Sequence, residues 1–314
     1  MRNRAVGLLS VVVLMTAGAA QADSRIGFAS DRQGDFAIFK SRIDGTGVTQ
    51  VTDQSGQAHN ATISPSGGKV IYDVGDVLYM NDFANPIGEP VLLGGGSDPD
   101  ASGYINLARD FRIIYTIGVG GQTQIYMATV DISENELVDE VALTSSSFTD
   151  NYHPSFCGTS HFVWIHDDTY QGELCYQEFD EDGPVGSATC WFSGLDDAKV
   201  DAHPDCDSTG TYVAWARESE DYAGTHDIWK MPTSGDEEDA ETIQAEHADE
   251  TMPVWSPSNS QIAFASNKVW PPGSSANDYE IWRIDSTTGS GDEAVTENDG
   301  VDDIEPAWGP ATLP

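Results

Sequence analysis

Three histidines and one glutamate occupy similar places in the chain and could together bind a transition metal. His153, His203 and Glu305 each precede a proline, and His59 is assigned to the matching place in an earlier unit. Imidazole and carboxylate groups are common ligands of such ions, and this set would leave positions open for water or substrate. We therefore treat His59, His153 and His203 as candidate ligands of a divalent metal. The whole set, one residue before each proline position, is His59, Ser102, His153, His203, Met252 and Glu305.

A second polar set lies three residues before the proline positions, and we expect both sets to converge on one funnel. Such a concave opening would suit a peptide or a sugar. Alternatively, these residues are only the polar side chains that commonly surround the opening of such a fold, and they bind no ligand. No cofactor other than the metal is indicated. The candidate funnel residues are His59, Asp100, Asn151, His153, Asp201, His203, Glu250, Asp303 and Glu305, with Gln57 as a further member of the second set.

The elements that must position these residues are short strands in a repeating unit. Pro154, Pro204, Pro253 and Pro306 recur at a spacing of about 50 residues, a period typical of solenoids and propellers. The chain holds five four-strand units, three extra strands at its start and one at its end. Pairing the last strand with Ile26 to Ser30 would complete a sixth unit and protect the sheet edges. The sequence therefore predicts an all-β, six-bladed β-propeller of four-stranded antiparallel blades.

The third unit has no clear beginning in the sequence. We place its first strand at residues 104–110, just before the apolar run from Phe111 to Tyr115.

Residues 1–22 are interpreted as a secretory signal, with Arg2 and Arg4 before an apolar stretch and a small-x-small cleavage site at residues 20–22. The mature domain would span residues 23–314 and lie in the periplasm or outside the cell. It would carry 12 basic and 52 acidic side chains, hence a net charge of −40. This field would repel nucleic acid and anionic lipid, and it suits a saline medium. We expect a monomer without a membrane span.

The four cysteines all lie in the exported part, and their even number in an oxidising compartment indicates two disulfides. The strand register puts Cys175 on a third strand and Cys190 on the adjacent fourth strand. Cys157 and Cys206 lie at the ends of innermost strands in neighbouring blades. We therefore predict the pairs Cys175–Cys190 and Cys157–Cys206.

Several motifs resemble the repeat of TolB-type β-propellers. They are the run from Pro253 to Pro257, the run from Ile262 to Ser266, and the run from Phe28 to Gly34. The resemblance covers residues 24–310 and implies a propeller without the separate N-terminal domain of TolB. It also implies use as a binding platform. The expected function is therefore an exported, non-catalytic propeller that recognises a protein or a cell-envelope or glycan ligand through its funnel face.

An alternative comes from other proteins with a similar repeat, the oligogalacturonate-lyase-like propellers. By this resemblance the chain would be a metal-dependent polysaccharide lyase with His59, His153 and His203 as ligands. A net charge of −40 argues against an anionic substrate unless the metal neutralises it. A peptidase is not expected, because no Gly-x-Ser-x-Gly motif occurs. Whether the protein is an enzyme remains open at this point.

Overall fold

The chain folds into a six-bladed β-propeller, as predicted. The computed structural model describes residues 25–53, 56–83, 86, 88–104, 110–145, 149–167, 172–192, 200–222, 224–246, 248–268 and 278–309, with only the backbone for 102–104. Their strands form six four-stranded antiparallel sheets. The predicted signal segment 1–22 lies outside the described residues.

The strands are, in chain order, β1 (Arg25–Ser30), β2 (Ala37–Arg42), β3 (Thr49–Gln50), β4 (Ala58–Ile63), β5 (Lys69–Val74), β6 (Val77–Asp82), β7 (Val91–Gly95), β8 (Ser97–Tyr104), β9 (Phe111–Val119), β10 (Gln122–Asp131), β11 (Glu136–Ala142), β12 (Asp150–Cys157), β13 (His161–Asp167), β14 (Gly172–Asp180), β15 (Gly183–Cys190), β16 (Asp201–Cys206), β17 (Tyr212–Glu218), β18 (His226–Pro232), β19 (Glu241–Gln244), β20 (Glu250–Trp255), β21 (Gln261–Ser266), β22 (Glu280–Asp285), β23 (Glu293–Ala294) and β24 (Asp303–Gly309). A 3-10 turn spans Glu237–Asp239. Blade 1 is β24-β1-β2-β3, and blades 2 to 6 are the successive groups of four from β4 to β23.

Blade 1 closes the ring with strands from both ends of the described chain. Ile26 of β1 pairs with Trp308 of β24, and Ser30 pairs with Asp303. This confirms the predicted closure. Because β24 covers the edge of β1, blade 1 has the same four strands as the other five blades.

The hydrophobic core lies between blades rather than within them, because each sheet must cover both of its faces. Between blades 6 and 1, Phe28 and Phe39 pack in one cluster with Ile281 and Trp308. Between blades 4 and 5, Trp215 is fully buried in a cluster that also holds the Cys157–Cys206 pair. Trp308 and Trp215 therefore belong to the core at two blade interfaces.

A bulge interrupts the innermost strand of every blade at its pairing with the second strand. One residue at each bulge has a left-handed backbone, with φ between 49° and 56°. The next residue is proline in five blades and Ala61 in blade 2. Proline has no N–H, so it fits where the ladder is broken. We call these six residues the channel ring: Asn60, Asp98, His153, His203, Met252 and Glu305.

The positions of the channel ring show that the predicted strand register is wrong in blades 2 and 3. In blade 2 the left-handed residue is Asn60, so His59 lies one place too early. In blade 3 the first strand is Ser97–Tyr104 rather than residues 104–110, and Asp98 takes the place given to Ser102. A shift of one residue along a strand reverses the face on which a side chain lies.

Both predicted disulfides form. Cys157 and Cys206 join the innermost strands of blades 4 and 5, with Cα atoms 5.0 Å apart. Cys175 and Cys190 are direct cross-strand partners within blade 4, with Cα atoms 4.0 Å apart. Two disulfides indicate an oxidising environment outside the cytoplasm. Among the described residues, no helix has the length and apolar character needed to cross a bilayer.

Candidate binding channel

The six innermost strands surround a cavity of about 440 Å³ around the axis of the propeller. All six residues of the channel ring line it. The residues two positions further along also line it, and we call them the second ring: Thr62, Asp100, Ser155, Asp205, Val254 and Ala307. A volume of this size suits a small molecule or part of a chain.

At three seams between blades, a side chain of the channel ring accepts the backbone N–H of the ring residue in the next blade. The N–H of Asn60 donates to Glu305 Oε2 over 2.7 Å. The N–H of His153 donates to Asp98, and that of His203 donates to His153 Nδ1 over 3.4 Å. A bulge leaves such an N–H without a ladder partner, and buried polar groups need one. These side chains therefore hold the blades together as well as lining the cavity.

His153 and His203 are brought together by adjacent blades. Their rings stack with centroids 3.9 Å apart. Burial lowers the pKa of His153 to about 4. Burial, followed by the neighbouring imidazole of His153, lowers the pKa of His203 well below its usual value. Both rings are therefore neutral at neutral pH.

His59 does not join them. Its Nδ1 lies 3.1 Å from Glu305 Oε1, and its ring packs on Phe36 with centroids 4.7 Å apart. The hydrogen bond to Glu305 raises the pKa of His59. In the part of the chain that the structure describes, no three His, Cys, Asp or Glu side chains are grouped so as to hold a metal ion. The structure therefore does not assemble the predicted set of His59, His153 and His203.

Two carboxyl groups of the second ring meet at one hydroxyl. Ser155 Oγ lies 2.8 Å from Asp205 Oδ1 and 3.3 Å from Asp100 Oδ2. Asp100 also accepts the N–H of Phe156 over 2.8 Å, and Asp205 accepts the N–H of Trp255 over 2.7 Å. Burial raises the pKa of both carboxyls, and for Asp205 the charge of Asp100 adds to this effect.

Four predicted funnel residues lie inside the protein instead of facing the cavity. Asp201 is 1% exposed, and its carboxylate binds Arg217 at 2.9 and 3.1 Å. It also accepts the indole N–H of Trp215 over 2.9 Å. Asp303 is fully buried and binds Arg32 at 2.8 and 2.9 Å. These two carboxylates stabilise the ends of the innermost strands.

Asn151 and Glu250 occupy the same position in blades 4 and 6. Asn151 accepts the indole N–H of Trp164 over 2.9 Å. Glu250 is 0% exposed, and its Oε1 has no hydrogen-bond partner. Burial raises the pKa of Glu250 to about 8. Neither side chain lines the cavity.

Only some of the candidate funnel residues lie at the cavity. Asp100, His153, His203 and Glu305 line the cavity, and His59 lies beside Glu305. Asn60, Asp98, Ser155 and Asp205 were missed as lining residues. Asp98-Pro99 repeats the pattern of His153-Pro154, and that dipeptide could have revealed it.

Comparison with known proteins shows the fold alone. No family model matches the chain. No curated protein matches it at the sequence level. The putative TolB from Agrobacterium tumefaciens is similar in structure with a TM-score of 0.63 and 15% identity, over 89% of this chain and 91% of that chain. TolB from Acinetobacter baumannii is similar with a TM-score of 0.66 and 15% identity, over 92% of this chain and 67% of that chain.

A further similar structure is the Kuenenia stuttgartiensis hydrazine synthase, with a TM-score of 0.69 and 10% identity. The match covers 93% of this chain and 47% of that chain, so this chain spans about half of it. The resemblance to TolB-type propellers therefore extends to the three-dimensional fold, at low sequence identity.

Proposed function

We propose that this protein is an exported, non-catalytic binding propeller whose channel receives part of a protein or cell-envelope ligand. The predicted signal and the two disulfides support a location in the periplasm or outside the cell. The cavity at the axis supports binding, since ligand sites favour concave places where several elements meet.

The observation that carries this proposal is the composition of the channel ring. A left-handed backbone is uncommon for residues other than glycine, and among these Asn, Asp and His adopt it most readily. None of the six positions holds glycine, and Met252 and Glu305 adopt it with φ of 56° and 54°. Such strain persists at sites where the side chains have a role beyond the fold. The six blades thus present different side chains on one repeated backbone, as a recognition surface does.

The contacts of Ser155 favour binding over nucleophilic catalysis. Its hydroxyl lies between the carboxyl groups of Asp100 and Asp205. An activated serine needs a neighbouring base that takes its proton, commonly an imidazole. The hydroxyl instead serves as a link between blades 3 and 5.

Site-specific crosslinking in cells tests the proposal. A photoreactive benzophenone amino acid replaces Met252, which lines the channel, and in a control it replaces Leu92, which is 62% exposed on the outer strand β7. We expect an adduct of defined mass at position 252 and none at position 92. Mass spectrometry identifies the crosslinked molecule. Equal labelling at both positions, or none at 252, would overturn the proposal.

A further inference from the structure

The channel carries several carboxyl groups, and one basic side chain, His59, lies beside them, 3.1 Å from Glu305. Asp98, Asp100, Asp205 and Glu305 line it, whereas no lysine or arginine does so among the described residues. Elsewhere the chain pairs buried carboxylates with arginine, as in Asp201–Arg217 and Asp303–Arg32. A buried carboxylate without a cation is costly, and in the channel several such groups lie around one cavity.

Asp98 is the least satisfied of these groups. One carboxyl oxygen, Oδ2, is buried and has no hydrogen-bond partner. Burial, with the nearby carboxyl of Asp73, raises the pKa of Asp98 to about 8. A cation placed here would supply the missing charge and favour the ionised carboxylate.

The opposite side of the channel is apolar. Blades 3 and 6 lie three places apart in a ring of six, so Met252 and Val254 face Asp98 and Asp100 across the axis. A ligand that fills this space needs an apolar stem as well as a charged end.

Trp308, also in the lining, offers a free donor beside this apolar side. It is 8% exposed, and its indole N–H has no partner. The equivalent indole of Trp255 donates to the carbonyl of Asp205 over 3.0 Å. An unpaired buried donor is costly, and its nitrogen lies below the cavity surface, so a peptide carbonyl would satisfy it only after the ring turned toward the cavity.

We infer that the channel binds an organic cation on an apolar stem, namely the arginine or lysine side chain of a peptide segment. This inference rests on the proposed function and names the chemistry of its ligand. A metal ion is the poorer fit, because the described residues bring no three His, Cys, Asp or Glu groups together for coordination.

Calorimetry on the purified protein tests the charge requirement. The probes are the acetylated pentapeptide amide Ala-Ala-Arg-Ala-Ala, the same peptide with neutral citrulline, and n-butylguanidinium. At about pH 8.5, above the pKa of about 8 for Asp98, the carboxyl of Asp98 is mostly ionised and arginine keeps its charge. We expect the arginine peptide to bind about 30-fold or more tightly than the citrulline peptide. Tighter binding of n-butylguanidinium than of the peptide would overturn the assignment to a peptide side chain.

The variant Asp98→Asn removes the charge and suits the left-handed backbone, since asparagine tolerates it. Asp139→Asn is the matched control, because Asp139 also has a positive φ of 55° but is exposed on the outer strand of the same blade. We expect Asp98→Asn, and independently Glu305→Gln, to lose about tenfold in affinity for the arginine peptide. Asp139→Asn should bind it like the natural protein.

Equal affinity for the arginine and citrulline peptides, or an unchanged affinity in both channel variants, would overturn the inference. If the arginine peptide does not bind but Met252 still crosslinks a defined molecule, the cation inference fails and the proposed function stands. If Met252 crosslinks nothing, the proposed function itself fails.

Discussion

The imidazole rings of His153 and His203 stack across the seam between blades 4 and 5, with centroids 3.9 Å apart. Protonation of either ring would place a charge in a buried site next to the other ring. Burial lowers the pKa of His153 to about 4, below the value of about 6.5 for an unfolded chain. The contribution of neutral His153 to the free energy of unfolding is therefore fully present above about pH 6.5. It falls as the pH drops toward 4, because the unfolded chain takes up the proton first.

The natural protein should lose free energy of unfolding when the pH is lowered from about 7 to about 4.5. We expect this loss to be smaller in His153→Asn by about 1–2 kcal/mol. Asparagine fits the left-handed backbone at this position. Urea unfolding at both pH values measures the difference, and His161→Asn on β13 serves as the control. An equal acid loss in the natural protein and the variant would contradict the prediction.

The disulfide across the same seam should stabilise more than the one within blade 4. Cys157 and Cys206 are 49 residues apart, whereas Cys175 and Cys190 are 15 apart. A longer closed loop restricts the unfolded chain more, by about 4 kcal/mol against about 3 kcal/mol on the entropy model. We expect the double variant C157A/C206A to unfold at a lower urea concentration than C175A/C190A. Non-reducing peptide mapping of the natural protein verifies both pairs, and the reverse order of stability would contradict the prediction.

The sequence predicted the blade number, the closing strand and both disulfides because each depends on period and register, which a repeat displays directly. It misplaced part of the site because the bulge is marked by proline in only five blades. In blade 2 the position holds Ala61, so His59 was chosen instead of Asn60. In blade 3 the first strand was placed at residues 104–110, after Asp98-Pro99, whereas it spans Ser97–Tyr104.

The second expected ring was misplaced for another reason. A bulge adds one residue, so side chains before and after it no longer follow a single alternation of faces. Asp201 lies before the bulge and points to Arg217, its direct cross-strand partner. Such contacts depend on which residue stands opposite on the neighbouring strand, and the spacing of prolines carries no information about this.

The equivalent acidic residues Glu250 and Asp201 should respond in opposite ways to loss of their charge. Glu250 is buried with an unpartnered oxygen, and burial raises its pKa to about 8. A raised pKa means that stability present at low pH is lost as the pH rises through about 8. We expect Glu250→Gln to stabilise the protein by about 1–2 kcal/mol at about pH 9 and to have little effect at about pH 5.

Asp201→Asn is the comparison, since it leaves the buried Arg217 without its carboxylate. Breaking such a pair should cost about 3 kcal/mol at neutral pH. Chemical unfolding of both variants measures these effects. Destabilisation by Glu250→Gln at alkaline pH would show that its charge is compensated in the folded protein.

The net charge of −38 should make stability depend on salt. Repulsion between surface carboxylates opposes the compact state, and ions screen it over about 10 Å at 0.1 M and about 3 Å at 1 M. We expect Tm to rise by several degrees between these two concentrations of NaCl. Betaine at the same osmolality is the uncharged control and should raise Tm less. An equal rise in both solutes would mean that screening is not the cause.

Removal of β24 should open the ring, and a peptide should close it again. This strand gives blade 1 its innermost strand and brings Asp303 to Arg32. Without it, β1 has an unpaired edge and Asn60 loses the carboxylate that accepts its N–H. We expect a chain ending at residue 299 to lose its single cooperative unfolding transition. A synthetic peptide of residues 300–310 should restore the transition, and the same peptide with Asp303→Asn should restore it less, because it leaves Arg32 unpaired. Calorimetric scans with and without peptide measure this, and an unchanged transition in the shortened chain would show that the other strands close the propeller alone.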